Sequence, residues 1–531
     1  MGYFVRRALP SLIVLTAISL GSIFFRLGSL SLTGPDEPRY ARIAQEMRDQ
    51  GNWVTPTLEG KPWLEKPPLY YWLTIPFYSV FNSPETAARV APALCALATA
   101  LAIFCLGSLV STRLAGLLGA TILLTSLGCA GYGRSASTDM PFTCCFTIAM
   151  TVLAAAGEKD IGAKVLIAYL FLGLAVLGKG PVALILAIGI GVLFWLLDER
   201  GVILRRWHIV PGIILAAAVS VPWFWLAFRQ NGYGFIATFF INHNFARFVT
   251  NIHHHSQPFY FYLPVLLALV FPWSGWLVLL ISESPMAALR RWREWNPLMI
   301  FLACWFLVPI LFFSLSDSKL AGYILPSLPP LALILGIRLN SWIEKAAEPA
   351  KLRAAMILLL VFSTAMAIAA PIFFQKDYGG RWDIGLVLSV AILAPAIVAF
   401  IFGLKGNVQR AFQATALQGI VVLAAIALFA FPVLGAYHST RDIAHQALQL
   451  RTPGEPIATY QFFHHTLHYY TNYQITDLQD DPALLKFAHA HSTALIVTKS
   501  SSLKNLSAIK DITITRLYNQ ANFCLIRITP K

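Results

Sequence analysis

The sequence predicts a polytopic α-helical membrane protein with about thirteen transmembrane helices and a small C-terminal α/β domain. Of its 531 residues, 57% are hydrophobic and only 12% are charged, whereas soluble domains carry about a quarter charged residues. Apolar runs of about 17–25 residues recur along the chain, and each is long enough to cross the hydrocarbon layer of a membrane. After residue 435 these runs stop, and short helix and strand patterns replace them.

The connections between the apolar runs predict the orientation of the chain. Every second connection is basic, for example at Arg6–Arg7, Arg113 and Arg290–Arg291, and basic connections stay on the cytoplasmic side. The opposite connections therefore face outward, and an odd number of spans brings the C-terminal segment to the same side. The net charge of +15 follows from these clusters, so no nucleic-acid partner is expected. The predicted spans are residues 8–25, 90–110, 114–131, 140–157, 163–178, 181–197, 209–228, 261–281, 297–315, 321–340, 353–374, 383–403 and 411–435.

Two domains are predicted from this division. Residues 1–435 form the transmembrane domain, and residues 436–531 form the outer domain. In the latter, HSTRDIAHQALQLR and DPALLKFAHA are typical of helices, and PIATYQ and TALIVTK are typical of strands. DITITRLY and NFCLIRIT indicate a closing strand pair, so a small α/β domain is expected.

The first outer connection, residues 26–89, is too long to serve only as a link between two spans. Its segment DEPRYARIAQEMRDQG predicts a helix that begins at Asp36 and ends before Gly51. Tyr40 lies on an apolar face of this helix and Arg39 on a charged face, so the helix is expected to lie along the membrane surface. Two interpretations of Asp36 are open at this point: a helix cap, or a functional carboxylate.

The rest of the first connection surrounds a charged pair with aromatic rings. GNWVTPTLEGKPWLEKPPLYYWL places Glu65–Lys66 between Trp63 and the pair Tyr70–Tyr71. Aromatic rings favour the headgroup level of a membrane. Arg39 and Lys66 at this level are suited to a phosphate at the head of a lipid, Arg through its planar fork and Lys as a compact charge.

Five motifs give the chain a resemblance to a known family. GPDEPRYARIAQEM, LEKPPLYYWL, RSASTDMPF, FLGLAVLGKGP and SKLAGYILP occur in order from about residue 30 to residue 330, and together they resemble the bacterial lipid A aminoarabinose transferases. That family belongs to the protein-mannosyltransferase-like superfamily with the C-type glycosyltransferase fold. The resemblance implies thirteen spans, a periplasmic α/β domain and a sugar donor carried on undecaprenyl phosphate. It also implies a multi-pass protein of the bacterial inner membrane, among membrane lipids, with its active site facing the periplasm.

The resemblance also assigns roles to individual residues. Asp36 is expected to be the catalytic carboxylate, acting as a base on a hydroxyl acceptor or orienting the sugar if the acceptor is an ionised phosphate. Lys66 and Arg39 are expected to bind the donor phosphate, where negative charge develops as the sugar leaves. The residues expected to support the substrate cavity are Glu37, Tyr40, Tyr70, Tyr71, Lys319 and Tyr323.

A divalent metal, Zn or Mg/Mn, is an open cofactor hypothesis. In the family, the glutamate that matches Glu65 is linked to a bound divalent metal, and His438 is the expected partner of Glu65 here. His253–His255 is a second candidate, although a histidine cluster in an outer connection more often faces solvent or lipid headgroups.

The sequence leaves two questions open: which molecule accepts the sugar, and whether the protein is an enzyme, a transporter or a scaffold. Lipid A is the expected acceptor; a protein Ser/Thr hydroxyl, as in protein O-mannosyltransferases, or another glycan is the alternative, with acceptor choice expected in residues 229–262 and 436–531. A lipid or sugar transporter is less favoured, because transporters place their site near the bilayer midplane between related halves. The sequence has no visible repeated halves. A scaffolding protein is disfavoured by the concentration of charge in the first connection.

Overall fold

The structure is a computed structural model that describes residues 2–198, 206–246, 257–281, 296–345 and 348–531. His253–His255 lies outside the described residues. Within them, nine helices have the length and apolar composition to cross a membrane. These helices are Pro84–Val110, Asp139–Glu158, Gly162–Lys179, Ile209–Asn231, Pro297–Ser314, Ala321–Lys345, Pro349–Asp377, Trp382–Leu404 and Val408–His438.

The other predicted spans are also helical. Arg113–Thr125 and Leu127–Gly133 form a pair that is bent by 63°, and three shorter apolar helices are Ala8–Phe24, Val182–Leu197 and Phe259–Val270. Each span predicted from the sequence contains an apolar helix or helix pair, although the span predicted at residues 261–281 is divided into Phe259–Val270, Trp273–Leu277 and Val278–Ile281. This confirms the polytopic helical fold. Shorter helical segments are Ile75–Ser79, Tyr233–Phe235, Ile236–Ala246, Trp273–Leu277 and Val278–Ile281.

Close helix packing depends on small residues, as expected where lipid tails supply little drive for helix association. Gly107 near the end of Pro84–Val110 faces Gly116 of the following helix. A Cβ atom at Gly107 would lie 2.5 Å from the Cα atom of Gly116. The two backbones therefore touch at a point where no larger side chain fits.

Residues 26–89, here called the first loop, fold into three short elements. The loop helix, Asp36–Gln50, ends at Gly51, whose φ of 65° is the left-handed conformation that glycine adopts readily. A two-stranded hairpin follows, with β1 (Thr57–Leu58) antiparallel to β2 (Lys61–Pro62). A short helix, Leu69–Thr74, leads back towards the second span.

The C-terminal domain is a five-stranded sheet with helices. The strands are β3 Ile457–Tyr460, β4 Thr476–Leu478, β5 Ala494–Lys499, β6 Ile512–Gln520 and β7 Phe523–Pro530, and the helices are Arg441–Leu450, His465–Tyr470, Asp481–Ala490 and Leu503–Ser507. The strand order is β4-β3-β5-β7-β6, with β3 parallel to both of its neighbours and β7 antiparallel to both of its own. The predicted closing strand pair is present as β6 and β7.

Direct hydrogen bonds join the C-terminal domain to the first loop. The Tyr470 hydroxyl accepts from the backbone N–H of Leu32 at 2.9 Å and donates to Glu85 at 2.8 Å. Gln45 of the loop helix donates to the Tyr469 hydroxyl at 3.0 Å. The first loop and the C-terminal domain therefore lie at the same end of the helix bundle, as an odd number of spans requires.

Candidate active site

A cavity of about 790 Å³ lies between the first loop and the membrane helices. Within the part of the chain that the structure describes, its wall combines acids, bases and rings from segments far apart in sequence. The titratable residues in this wall are Asp36, Arg39, Tyr40, Glu65, Lys66, Asp139, Lys179, His243 and Tyr323, with Phe245, Phe312 and Phe313 beside them. Charges of both signs next to apolar rings suit a ligand with a polar head and a lipid tail.

Asp36 begins the loop helix and forms an ion pair with Arg39 one turn later. Arg39 Nη2 lies 2.5 Å from the Asp36 carboxylate, and its Nε donates to the carbonyl of Pro35 at 2.9 Å. The Asp36 side chain is 56% exposed and lies in the cavity wall. An acid and a cation are thus held side by side with open space in front of them.

Arg39 is also supported by a ring of the hairpin segment. Its guanidinium carbon lies 5.0 Å from the centre of the Trp63 ring, a cation–π contact. Glu65 and Lys66 follow Trp63 in the chain and line the same cavity. The predicted phosphate ligands Arg39 and Lys66 therefore share one cavity with Asp36.

A second ion pair crosses the cavity wall between two membrane helices. Lys179 Nζ donates to the Asp139 carboxylate, and it also lies 5.0 Å from the centre of the Tyr323 ring. Asp139 begins its helix and Lys179 ends the next one, so both charges lie at helix ends. Asp139 and Lys179 belong to the motifs RSASTDMPF and FLGLAVLGKGP, but the sequence did not indicate that both residues line one cavity.

Glu65 contacts a histidine other than the one expected from the sequence. Its Oε1 lies 3.6 Å from Nε2 of His243, and both residues line the cavity. His438 instead lies at the end of its span, where Nε2 is 2.7 Å from the Tyr378 hydroxyl. The pairing of Glu65 with His438 is therefore corrected to Glu65 with His243. Asn-His-Asn within residues 242–244 is a weak signal, so sequence reasoning missed this histidine.

Glu37, the neighbour of Asp36, points into the protein and does not line the cavity. Its carboxylate accepts hydrogen bonds from Arg89 at 2.6 and 3.0 Å and from the backbone N–H groups of Ala136 at 2.8 Å and Thr33 at 2.9 Å. Burial raises the pKa of the Glu37 carboxyl, but Arg89 and the backbone donors outweigh it, so the pKa lies below its ordinary value of 4.5. Glu37 is therefore an ionised anchor of the first loop, which corrects its expected place in the cavity.

Two tyrosines predicted to support the cavity lie behind its wall. Tyr70 and Tyr71 are fully buried, and the Tyr70 hydroxyl donates to the carbonyl of Ala88 at 2.9 Å. The Tyr40 ring, which does line the cavity, packs against both, with ring centres 5.9 and 6.1 Å apart. Tyr70 and Tyr71 thus hold Tyr40 in place without themselves reaching the ligand space.

Lys319 is a further predicted cavity residue that the structure places elsewhere. Its Nζ donates to the carbonyls of Ser316 at 2.5 Å and Gln257 at 3.0 Å, and the side chain is buried. The amine therefore closes a turn between two spans and does not line the cavity. Tyr323, from the same motif, does line it.

A second, apolar groove lies between four membrane helices. It has a volume of about 570 Å³ and is lined by side chains such as Leu184, Ile188, Trp195 and Ile213. It lacks the clustered charges of the first cavity, so the charged cavity is the candidate active site.

The fold is similar to that of solved membrane transferases. The crystal structure of ArnT from Cupriavidus metallidurans bound to undecaprenyl phosphate matches with a TM-score of 0.78 and 22% sequence identity, over 97% of each chain. The archaeal oligosaccharyltransferase AglB from Archaeoglobus fulgidus, in complex with an inhibitory peptide and a dolichol-phosphate, matches with a TM-score of 0.52 and 13% identity, over 93% of this chain and 69% of that one. The chain has the C-type glycosyltransferase fold.

Sequence similarity narrows this class. Residues 65–225 match the family model of dolichyl-phosphate-mannose-protein mannosyltransferases. The undecaprenyl phosphate-α-4-amino-4-deoxy-L-arabinose arabinosyl transferase 1 of Pseudomonas fluorescens is 31% identical over 81% of this chain and 72% of its own length. The corresponding transferase of Pectobacterium atrosepticum is 31% identical over 73% of this chain and 72% of its own. The chain belongs to this family of arabinosyl transferases and is a multi-pass membrane glycosyltransferase.

Proposed function

We propose that the protein transfers 4-amino-4-deoxy-L-arabinose from undecaprenyl phosphate to lipid A. The observation that carries the proposal is the charged cavity, where Asp36 lies beside Arg39 and in the same wall as Lys66. A carrier phosphate needs cations, and a sugar leaving that phosphate needs an anion beside its anomeric carbon. The cavity offers both at the end of a membrane-embedded helix bundle.

The chemistry is a substitution at the anomeric carbon of the donor. The bond from this carbon to the carrier phosphate oxygen breaks, and a bond to a lipid A phosphate oxygen forms. Positive charge develops on the sugar next to Asp36, and negative charge develops on the departing undecaprenyl phosphate next to Arg39 and Lys66. Groups held in place for both charges stabilise the transition state more than the ground state.

Asp36 is not required as a base in this reaction. A lipid A phosphate is already largely ionised near pH 7, since the second phosphate pKa is about 6. The role of Asp36 is then to orient the sugar and to stabilise its positive charge. A hydroxyl acceptor would instead need proton removal, for which the same carboxylate is available.

Glu65 and His243 are suited to a divalent cation. Glu65 Oε1 lies 3.6 Å from His243 Nε2, and a carboxylate oxygen and an imidazole nitrogen are both donors that Zn²⁺ accepts. Among the described residues, no group of three or more His, Cys, Asp and Glu side chains could hold a metal. We propose that Glu65 and His243 would supply two protein ligands to such an ion, which would add positive charge near the donor phosphate.

The proposed location is the bacterial inner membrane, with the cavity facing the periplasm. Along the sequence, basic connections such as the one at Arg113 alternate with the connections that include the first loop, and under the positive-inside rule this alternation supports an outward-facing first loop. The first loop and the C-terminal domain share one end of the bundle through the Tyr470 contacts.

A protein hydroxyl is the second candidate acceptor, because the matched family model describes protein mannosyltransferases. Lipid A from cells that lack their own transferase distinguishes the two. With the wild-type chain, mass spectrometry is expected to show lipid A heavier by one pentosamine, and Asp36→Asn is expected to abolish this addition. Unmodified lipid A together with a glycosylated periplasmic protein would overturn the lipid A assignment in favour of the alternative.

A further inference from the structure

Glu46, on the loop helix, has a buried carboxylate that accepts hydrogen bonds from the hairpin. It accepts hydrogen bonds from Arg42 Nε at 2.8 Å, from the Thr57 hydroxyl at 2.8 Å, and from the backbone N–H groups of Glu59 at 2.9 Å and Gly60 at 3.1 Å. The residue is 5% exposed. A buried carboxylate is costly unless its oxygens are satisfied, and three of these four donors belong to the hairpin.

The two backbone donors lie in a strained turn. Glu59 and Gly60 connect β1 to β2, and their φ angles are 55° and 72°. A two-residue turn of this kind favours glycine or asparagine at both positions, yet the first position is a glutamate. The Glu46 carboxylate stabilises this turn by accepting both of its N–H groups.

The hairpin leads directly into the candidate active site. Trp63 continues its pairing, with its N–H donating to the carbonyl of Pro56 at 2.7 Å, and its ring stacks on Arg39. Glu65 and Lys66 follow within three residues and line the cavity. A displaced hairpin would therefore move Lys66 and remove the ring that supports Arg39.

We infer that Glu46 is a positioning residue for the donor phosphate: by clamping the hairpin turn to the loop helix, it sets Lys66 and Arg39 relative to Asp36. Glu46 itself does not line the cavity and touches no substrate. The inference rests on the proposed function, because it concerns the cations that bind the carrier phosphate.

The test compares Glu46→Gln with the wild-type full-length protein, using undecaprenyl phosphate as the binding probe. Glutamine keeps the size of the side chain, but it replaces one acceptor oxygen with a donor. We expect the Kd for undecaprenyl phosphate and the KM for the donor to rise about tenfold, the loss of one well-placed charged hydrogen bond. The kcat at saturating donor is expected to fall less than in Asp36→Asn, because Asp36 stays on the intact loop helix while the displaced cations stabilise the departing phosphate less well.

Two further variants separate positioning from a general loss of stability. Glu59→Gln changes the side chain of the same turn and leaves the backbone donors, so wild-type affinity is expected. In the double variant Glu46→Gln/Glu59→Gly, glycine adopts the positive φ of the first turn position without strain. This variant is expected to recover most of the affinity for undecaprenyl phosphate. If Glu46→Gln does not fold, Thr57→Val removes one clamp bond, and its Kd is expected to rise a few-fold.

Three results would overturn the inference: wild-type affinity in Glu46→Gln, a loss that Glu59→Gly does not restore, or wild-type affinity in Thr57→Val where that variant takes its place. A wild-type chain that does not bind undecaprenyl phosphate would instead contradict the proposed function. The failures of the two proposals are therefore distinguishable.

Discussion

Asp36 and Glu37 are neighbours in the chain, yet they lie in opposite environments. Asp36 pairs with Arg39 in the cavity wall with its side chain 56% exposed, whereas Glu37 pairs with Arg89, and the side chains of that pair are 9% and 1% exposed. An exposed pair adds about 0–1 kcal/mol to stability, while breaking a buried pair costs about 3–5 kcal/mol. The comparison shows a division of roles between the two acids. The buried Glu37–Arg89 pair holds the loop helix in place, and the Asp36 carboxylate can therefore face the cavity.

The largest expected effect is on turnover at the exposed acid. Asp36→Asn is predicted to lower kcat by about 10²–10³-fold, because the amide cannot balance the charge that develops on the sugar. Turnover of the undecaprenyl-phosphate sugar by the purified protein measures it. Asp49→Asn, an exposed acid on the same helix, is the matched control. Equal activity in Asp36→Asn and Asp49→Asn would show that Asp36 has no role in the reaction.

The next effect is on stability at the buried pair. Arg89→Met leaves the ionised Glu37 without its charged partner and is predicted to lower the free energy of unfolding by about 3–5 kcal/mol. Arg48→Met breaks the exposed pair of Arg48 with Asp49 and should change it by less than about 1 kcal/mol. Denaturant unfolding of the purified variants gives both values. A similar decrease in the free energy of unfolding in the two variants would contradict the prediction that the buried pair contributes more to stability than the exposed pair.

A smaller effect is predicted at the cavity lysine. Lys66→Met is expected to weaken the binding of undecaprenyl phosphate about tenfold, the usual contribution of one charge-assisted hydrogen bond. Lys61→Met changes an exposed hairpin lysine and should leave affinity unchanged. Titration of the carrier lipid into each protein checks this, and an unaltered Kd in Lys66→Met would take Lys66 out of the phosphate site.

The smallest effect is a pH dependence of stability due to Glu37. Its pKa is below the ordinary value of 4.5 in the folded protein, so its stabilising contribution is complete above that value and is lost as pH falls through the folded pKa. As the pH falls below 4.5, the melting temperature of the wild type should therefore fall more than that of Glu37→Gln. Parallel curves for the two proteins would contradict the linkage.

The sequence predicted the fold well because its signals are local. A span needs only a long apolar run, and the loop helix needs only its pattern and Gly51, whose left-handed φ ends it. The charged residues of the first loop were close in sequence, so Asp36, Arg39 and Lys66 could be predicted to meet at one level of the membrane.

The remaining parts of the site depend on contacts between distant segments. His243 meets Glu65 only because the span ending near residue 231 returns to the first loop, and nothing in its own segment indicates this. Lys319 sits in a motif with Tyr323, but carbonyls of Ser316 and Gln257 hold its amine in a turn. Which side of a helix faces a cavity is decided by packing, as Glu37 and Arg89 also show.

The location of the donor head group tests the central claim most directly. An undecaprenyl phosphate analogue with a photoreactive group beside the phosphate can be cross-linked to the purified protein and the labelled peptides mapped. We predict labels on the cavity wall, within residues 35–66 and near Tyr323. Labels confined to the apolar groove of Leu184, Trp195 and Ile213 would contradict the account.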